Sequence, residues 1–302
     1  MKKSTFLYFL LIVFQLAAAQ PKVKLFPLKD VRLLSGAFQQ AQNTDKQYLL
    51  ALDADKLLSP YLREAGLSPK AESYGNWENT GLDGHIGGHY VSALDLMLAS
   101  TGDKEIEKRF DYMISELKRC QDHLGTGYLG GVPGGVSLWN DVAAGKIQAG
   151  SFDLNKKWVP LYNIHKIYAG LRDAWLHTGN LVAKEMLINM SEWFVKLVQN
   201  LTDEQIQTML RSEHGGLNEV FADVAVITGD AKYLKLAHQF SHQYLLQPLL
   251  KKEDKLTGMH ANTQIPKVIG FKRIAEVENK TEVKSLLLCE TLESFVFIIT
   301  DW

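Results

Sequence analysis

Cysteine is nearly absent: Cys120 and Cys289 are the only two among 302 residues. Disulfide-built secreted domains carry a denser, even set, so a hydrophobic core must hold this fold. Charge of one sign is lacking too. A formal net charge of −1 leaves no basic footprint for nucleic acid and no polybasic surface for anionic membranes. Strand-like alternation of any consequence is missing, and no composition shift marks a linker between domains. With 46% hydrophobic and 22% charged residues, the chain has the make-up of a soluble globular protein able to bury a sizeable core.

The apolar run at the N-terminus falls short of a membrane span. Lys2-Lys3, the apolar segment Phe6 to Leu16 and the small residues Ala17-Ala18-Ala19 have the order of a signal peptide. A bilayer crossing needs roughly 20 apolar residues, more than are present here. Residues 1–19 are expected to direct export and be removed, giving a secreted or periplasmic protein without stable membrane insertion. No cysteine follows the small residues, so a lipid anchor is not indicated.

What is present is a repeat. Thr101-Gly102-Asp103 returns as Thr178-Gly179-Asn180 and as Thr228-Gly229-Asp230. Each copy ends an apolar helical stretch and starts an amphipathic one. Glycine closes a helix in the left-handed conformation, and Asp or Asn caps the next one by accepting from its first N–H groups. One such tripeptide is ordinary turn chemistry, but three in matched contexts mark a helical hairpin repeat.

Apolar spacing of three to four residues predicts helices over 31–58, 86–99, 104–123, 161–177, 181–200, 217–227, 231–246 and from 264 to 277. Thr202 with Gln205 forms a capping box for a short helix ending near Arg211. Pro60 and Pro69 predict a break, with a long loop over 61–84. Residues 124–159 read as the largest irregular segment, and the aromatics Tyr128, Trp139 and Trp158 argue for a binding loop over disorder. The fold class is all-α.

The histidines fall into order on that scheme. His85, His89, His165, His214 and His260 lie before or within the first turns of the apolar helices, the ones expected inside. Glu78, Trp158, Glu219, Asn262 and Gln264 share those positions. If the inner helices run parallel around an axis, these groups gather at one rim as a polar, aromatic mouth. Such a mouth suits a sugar, whose hydroxyls are read by His, Glu, Asn and Gln and whose C–H faces stack on aromatic rings. A single histidine in such a place is ordinarily a satisfied structural side chain; the shared placement is what points to binding.

Two pairs, His85 with His89 and His238 with His242, have a spacing that could hold a metal. Neither has the neighbouring Glu of a zinc peptidase helix, because Ile86 and Gln239 stand there. No metal ligand is assigned.

The segments ENTGLDGHIGGHYVSAL, LYNIHKIYAGLRDAW and GMHANTQIPKVIGFKRI resemble glycoside hydrolase family 127/146, whose members include β-L-arabinofuranosidases of plant cell-wall breakdown. The resemblance covers roughly residues 28–280. It implies an (α/α)6 toroid as catalytic domain and an oligosaccharide or polysaccharide substrate. It further implies retaining hydrolysis by a zinc-bound cysteine thiolate with a glutamate as acid/base, since metal binding deprotonates the thiol. His165 and His260 look similar to the family's substrate-contacting histidines, and His89 is a further candidate. Glu78 and Trp158 complete the expected substrate-binding set.

The resemblance departs near the end. After about Glu282 the chain reads KSLLLCETLESFVFIITDW, and Cys289 does not stand in the family's adjacent-cysteine context. The expectation is a signal peptide over 1–19, a partial toroid over 20–283 and a divergent tail over 284–302. Neither cysteine is assigned as nucleophile; the acid/base glutamate, the nucleophile and the zinc ligands are expected beyond this chain, which would then be a truncated, inactive form. Two other readings stand beside it. One is a carbohydrate-binding remnant without catalysis, the other a different toroid sugar enzyme such as an epimerase or a lyase.

Overall fold

The computed structural model describes residues 25–279. The signal peptide expected over 1–19, the tail expected over 284–302 and Cys289 lie outside the described residues. Among the described residues the order begins with α1 (Ala37–Ala51), α2 (Ala54–Glu64), α3 (His85–Thr101), α4 (Lys104–Leu124) and α5 (Gly135–Ala143). A hairpin of β1 (Asp153–Leu154) and β2 (Lys157–Trp158) follows, then α6 (Pro160–Thr178), α7 (Leu181–Val198) and α8 (Asp203–Met209). The last helices are α9 (Leu217–Thr228), α10 (Ala231–Gln239), α11 (Gln243–Leu250) and α12 (Ala261–Val277). The class is all-α, and the fold is an arc of a helical toroid.

Each tripeptide turn does what its residues dictate. Gly102, Gly179 and Gly229 adopt φ of 68°, 73° and 73° as helix C-caps. Asp103 Oδ1 accepts from Glu105 N at 3.0 Å and Asn180 Oδ1 from Ala183 N at 2.9 Å. Asp230 Oδ1 accepts from Lys232 N at 2.9 Å. The three threonines donate back to carbonyls one turn earlier. The turns thereby close three antiparallel hairpins, α3/α4, α6/α7 and α9/α10.

The inner helices α3, α6, α9 and α12 run parallel, as their contacts show. Ser92 meets Asp173 and Asp95 meets His177, so numbering on α3 and α6 rises together. Arg172 of α6 reaches Glu219 and Asp223 of α9 at 3.1 and 3.2 Å. Asn218 donates to the Lys267 carbonyl, and Asp223 binds Arg273 at 2.7 Å on α12. These charged groups form a belt across all four inner helices. The outer helices cover them: α4 turns Ile106, Phe110, Met113, Ile114 and Leu117 inward. The rings of Tyr168, Phe194, Phe221 and Phe240 pack with centroids 4.9 to 5.7 Å apart.

Four local expectations change. The helix expected over 31–58 is two helices, because Asp53 leaves the helix and its carboxylate accepts from Asp55 N and Lys56 N to start α2. That helix then runs through Pro60 to Glu64, so residues 61–64 are helical. The proline forgoes one backbone bond, and burial of Leu57, Leu58, Tyr61 and Leu62 outweighs the loss. Within 124–159, α5 and the β-hairpin interrupt the irregular chain. The N-terminus of α5 is capped from afar: Glu64 accepts from Gly134 N at 3.0 Å and Val136 N at 2.7 Å, which no local pattern reveals. Finally, the helix expected over 231–246 ends at Gln239. His242 is the N-cap of α11, so His238 and His242 do not share a helix face.

Candidate functional site

Parallel inner helices place their N-termini at one rim, where the unpaired first N–H groups of each helix also point. The loop before α3 is built around Glu78, which is buried at 1% exposure. Its Oε2 accepts from Gly84 N at 2.9 Å and its Oε1 from Ile86 N at 3.0 Å. Oε1 also lies 2.7 Å from His85 Nδ1. The carboxylate thus caps α3 favourably to its dipole and orients the His85 ring. Asn163 of α6 donates to the carbonyls of Leu82 and Asp83 at 2.9 and 2.8 Å, fixing the loop against the neighbouring inner helix.

His89 lies one turn into α3, its ring 6.4 Å from that of His85. It opens to solvent at the rim while protein closes its remaining sides. Surrounding protein, then Lys166, then His85 lower its pKa to about 4. His165 on α6 is enclosed more tightly; burial first and the Lys166 charge second hold it well below the ordinary value. A side chain at Gly215 would collide with the His165 ring, so this glycine lets the entrance of α9 close on the imidazole. Lys166 stands over Tyr162 at 4.0 Å, and burial lowers its pKa to about 8.

Between α8, the start of α11 and the start of α12 lies a cavity of about 640 Å³, lined by Phe152, Arg211, His242, Tyr244, His260 and Lys267 among others. That volume is in the usual range for small-ligand sites, about 300–1,000 Å³. The His260 ring lies 6.3 Å from Phe152. Lys267 is 2% exposed, and its ammonium donates to His242 Nδ1 at 3.2 Å and Gln264 Oε1 at 3.1 Å. Burial lowers the Lys267 pKa to about 8. Glu213, whose N–H bonds the Ser151 carbonyl, opposes that shift in both Lys166 and Lys267.

The five residues expected to bind substrate therefore fall in four places. His89 and His165 stand on the neighbouring inner helices α3 and α6, and both lie near Lys166. His260 lines the cavity. Trp158 is half-exposed on β2 beside Gly81, and Glu78 is engaged beneath the rim. Sequence reasoning missed Trp77 and Phe152, exposed rings beside His85 and His260, and also Lys166, Arg211, Glu213 and Lys267, and it weighed His242 only as half of a metal pair. The available signal was adjacency, since Lys166 follows His165 and Glu213 precedes His214. Of the aromatics in 124–159, Tyr128 and Trp139 are core residues packed on Trp193 at 5.0 and 5.6 Å.

Among the described residues no three His, Cys, Asp or Glu side chains converge as a metal-binding group. Cys120 is buried on α4, and burial pushes its thiol up to about 12, opposite to what a thiolate ligand needs. The described residues do not fit the zinc that the resemblance implied.

The neutral histidines predict a pH effect. Free imidazole titrates near 6.5, whereas burial, then Lys267, then Arg211 lower His242 to about 3. Between these values the unfolded chain binds a proton that the folded chain refuses. The stabilisation is complete above about pH 7 and is lost as pH falls through 6.5 toward 3. At pH 5 the loss from His242 is about 2 kcal/mol. Asp95, raised to about 8 by burial and Asp173, acts with the opposite sign, so the test is a difference. Urea unfolding at pH 7.5 and 5.0 should give a pH-dependent change about 2 kcal/mol less unfavourable in His242→Asn than in the native chain. Equal changes would contradict the assignment.

The sequence model described as "Beta-L-arabinofuranosidase, GH127 catalytic domain" matches residues 30–301. Among solved structures, the chain is similar to a GH127 β-L-arabinofuranosidase from Geobacillus stearothermophilus T6, with a TM-score of 0.54 and 14% identity. That likeness, which supports the fold, covers 85% of this chain and 44% of the other. The chain thus spans less than half the length of that relative. Comparison with curated protein sequences gives no match. With the family model matching most of its length, the chain belongs to the GH127 β-L-arabinofuranosidase catalytic-domain family.

Proposed function

We propose that this chain belongs to an exported glycoside hydrolase acting on arabinofuranosyl units of plant cell-wall glycans, and that its described residues supply substrate binding. The observation that carries the reading is the placement of His89, His165 and His260 at the N-terminal ends of the parallel inner helices α3, α6 and α12, with exposed aromatic rings at the same ends: Trp77 beside His85 and Phe152 beside His260. The imidazoles of His89 and His165, held neutral by burial, serve a neutral sugar well, because each offers one donor and one acceptor without imposing a charge. Aromatic faces at the rim take the C–H side of the ring. Family membership supports arabinofuranoside specificity and bond cleavage in this reading. Cys120 is no thiolate at neutral pH, so binding is the role these residues can be given directly.

Titration calorimetry of the full chain with a β-L-arabinofuranosyl disaccharide tests this. Binding is expected, and His165→Ala should weaken it at least ten-fold. The same affinity in His165→Ala and His89→Ala, or no binding at millimolar sugar, would remove the reading. Turnover of the disaccharide, followed by release of arabinose, tests cleavage separately.

A further inference from the structure

The cavity beside His260 has an electrostatic character that a neutral sugar leaves unused. Lys267 is a buried ammonium whose two hydrogen-bond partners, His242 and Gln264, are both neutral. An ammonium has three N–H donors, so one remains for a ligand. His242 accepts from Lys267 on Nδ1, which places the proton of its neutral ring on Nε2 as a second donor. Arg211 lines the same cavity, and among the described residues no carboxylate pairs with it. The acidic groups within reach are Glu204, exposed at the cavity edge, and buried Glu213, which acts on both Lys166 and Lys267 through space. Two cations, Arg211 and Lys267, thus line the cavity, and neither carboxylate forms an ion pair with them. A buried ammonium without a contacting counter-charge is costly, and a ligand anion would supply one.

The walls narrow the choice of anion. Phe152 and Tyr244, 48% and 70% exposed, flank the cationic floor and offer faces for a sugar ring. The volume of about 640 Å³ exceeds what a small inorganic anion fills. We propose that this cavity is a subsite for a carboxylate-bearing sugar, a uronosyl unit of the glycan, whose carboxylate meets Lys267, His242 and Arg211 while its ring lies between Phe152 and Tyr244. The inference rests on the glycan-binding reading above and specifies the substrate: an arabinofuranosyl glycan that also carries acidic residues.

Calorimetric titration of the full chain with methyl α-D-galacturonoside and methyl α-D-galactoside at low salt tests it. The uronoside should bind at least ten-fold more tightly. Arg211→Gln, an exposed position whose variant should fold, should cut that ratio to within two-fold, as should Lys267→Met. The ratio should also fall as pH rises past 8, where Lys267 loses its proton. Equal binding of the two glycosides, or a ratio unchanged in Arg211→Gln, would overturn the inference. Inorganic phosphate bound as tightly as the uronoside would also overturn it, by showing a general anion site. Disaccharide binding without uronoside preference sinks this inference alone. Uronoside preference without disaccharide binding supports the subsite chemistry and sinks the arabinofuranosyl reading.

Discussion

Gly88→Ala is expected to destabilise the chain by about 3 kcal/mol or to abolish cooperative folding. Helix propensity alone argues the other way, since alanine inside a helix is favoured over glycine by about 1 kcal/mol. The decisive fact is what a Cβ would meet. It would penetrate Ile167 N and the Lys166 carbonyl carbon and lie 2.8 Å from Ile167 Cα. These are backbone atoms of α6, which cannot swing aside as a side chain can. Gly170 answers from the other helix, where a Cβ would lie 2.8 Å from the Gly88 carbonyl oxygen. The two glycines let α3 and α6 pack backbone to backbone. Overpacking of a tight core costs about 1–3 kcal/mol and occasionally more, and a clash with rigid backbone belongs at the upper end. Gly75→Ala is the control, since nothing lies within 4 Å of its added Cβ and its φ is not in the left-handed region. Urea midpoints should fall sharply for the first and stay within about 0.5 kcal/mol for the second. An unchanged midpoint in Gly88→Ala would mean the helices are not packed as described.

Glu78→Ala should cost about 2–4 kcal/mol, the sum of leaving two buried amide donors without an acceptor at about 1–3 kcal/mol each, partly relieved by relaxation of the loop. The substitution leaves the amides of Gly84 and Ile86 without their acceptor and the His85 ring without its carboxylate. Glu78→Gln keeps an acceptor and loses the charge, so its Tm should fall between native and Ala. The pair of variants separates two roles for this residue. If Glu78 acts through the loop and His85, sugar affinity falls together with Tm. A Glu78→Gln chain with native Tm and lost sugar binding would instead place the carboxylate on the substrate.

Both residues show how far sequence reasoning reached. Gly88 and Glu78 stand in ENTGLDGHIGGHYVSAL, one of the segments that carried the family resemblance. Yet nothing local says that one glycine admits a second helix or that the glutamate is consumed by backbone amides. Histidine placement was legible because the turn tripeptides fixed where each inner helix begins. The cationic floor was not, because Arg211, His242 and Lys267 stand in three separate stretches of chain with no common spacing. Pro60 misled for a related reason: a proline's local cost is readable, but the buried leucines and Tyr61 that outweigh it are a property of the packed state. The capping of α5 by Glu64, some seventy residues away, is of the same kind.

The sequence by itself determined the all-α class, the three hairpin turns and the family. Each rests on short-range rules: helical period, left-handed glycine, capping carboxylate, and motifs read along the chain. Only the tertiary structure decided that Glu78 lies beneath the rim and not on it, that His238 and His242 part company at a helix break, and that a buried lysine without a contacting carboxylate faces a cavity. Those outcomes depend on which groups distant stretches bring within a few ångströms, and on the cost of leaving a buried charge or amide unpaired, which no single stretch of sequence encodes.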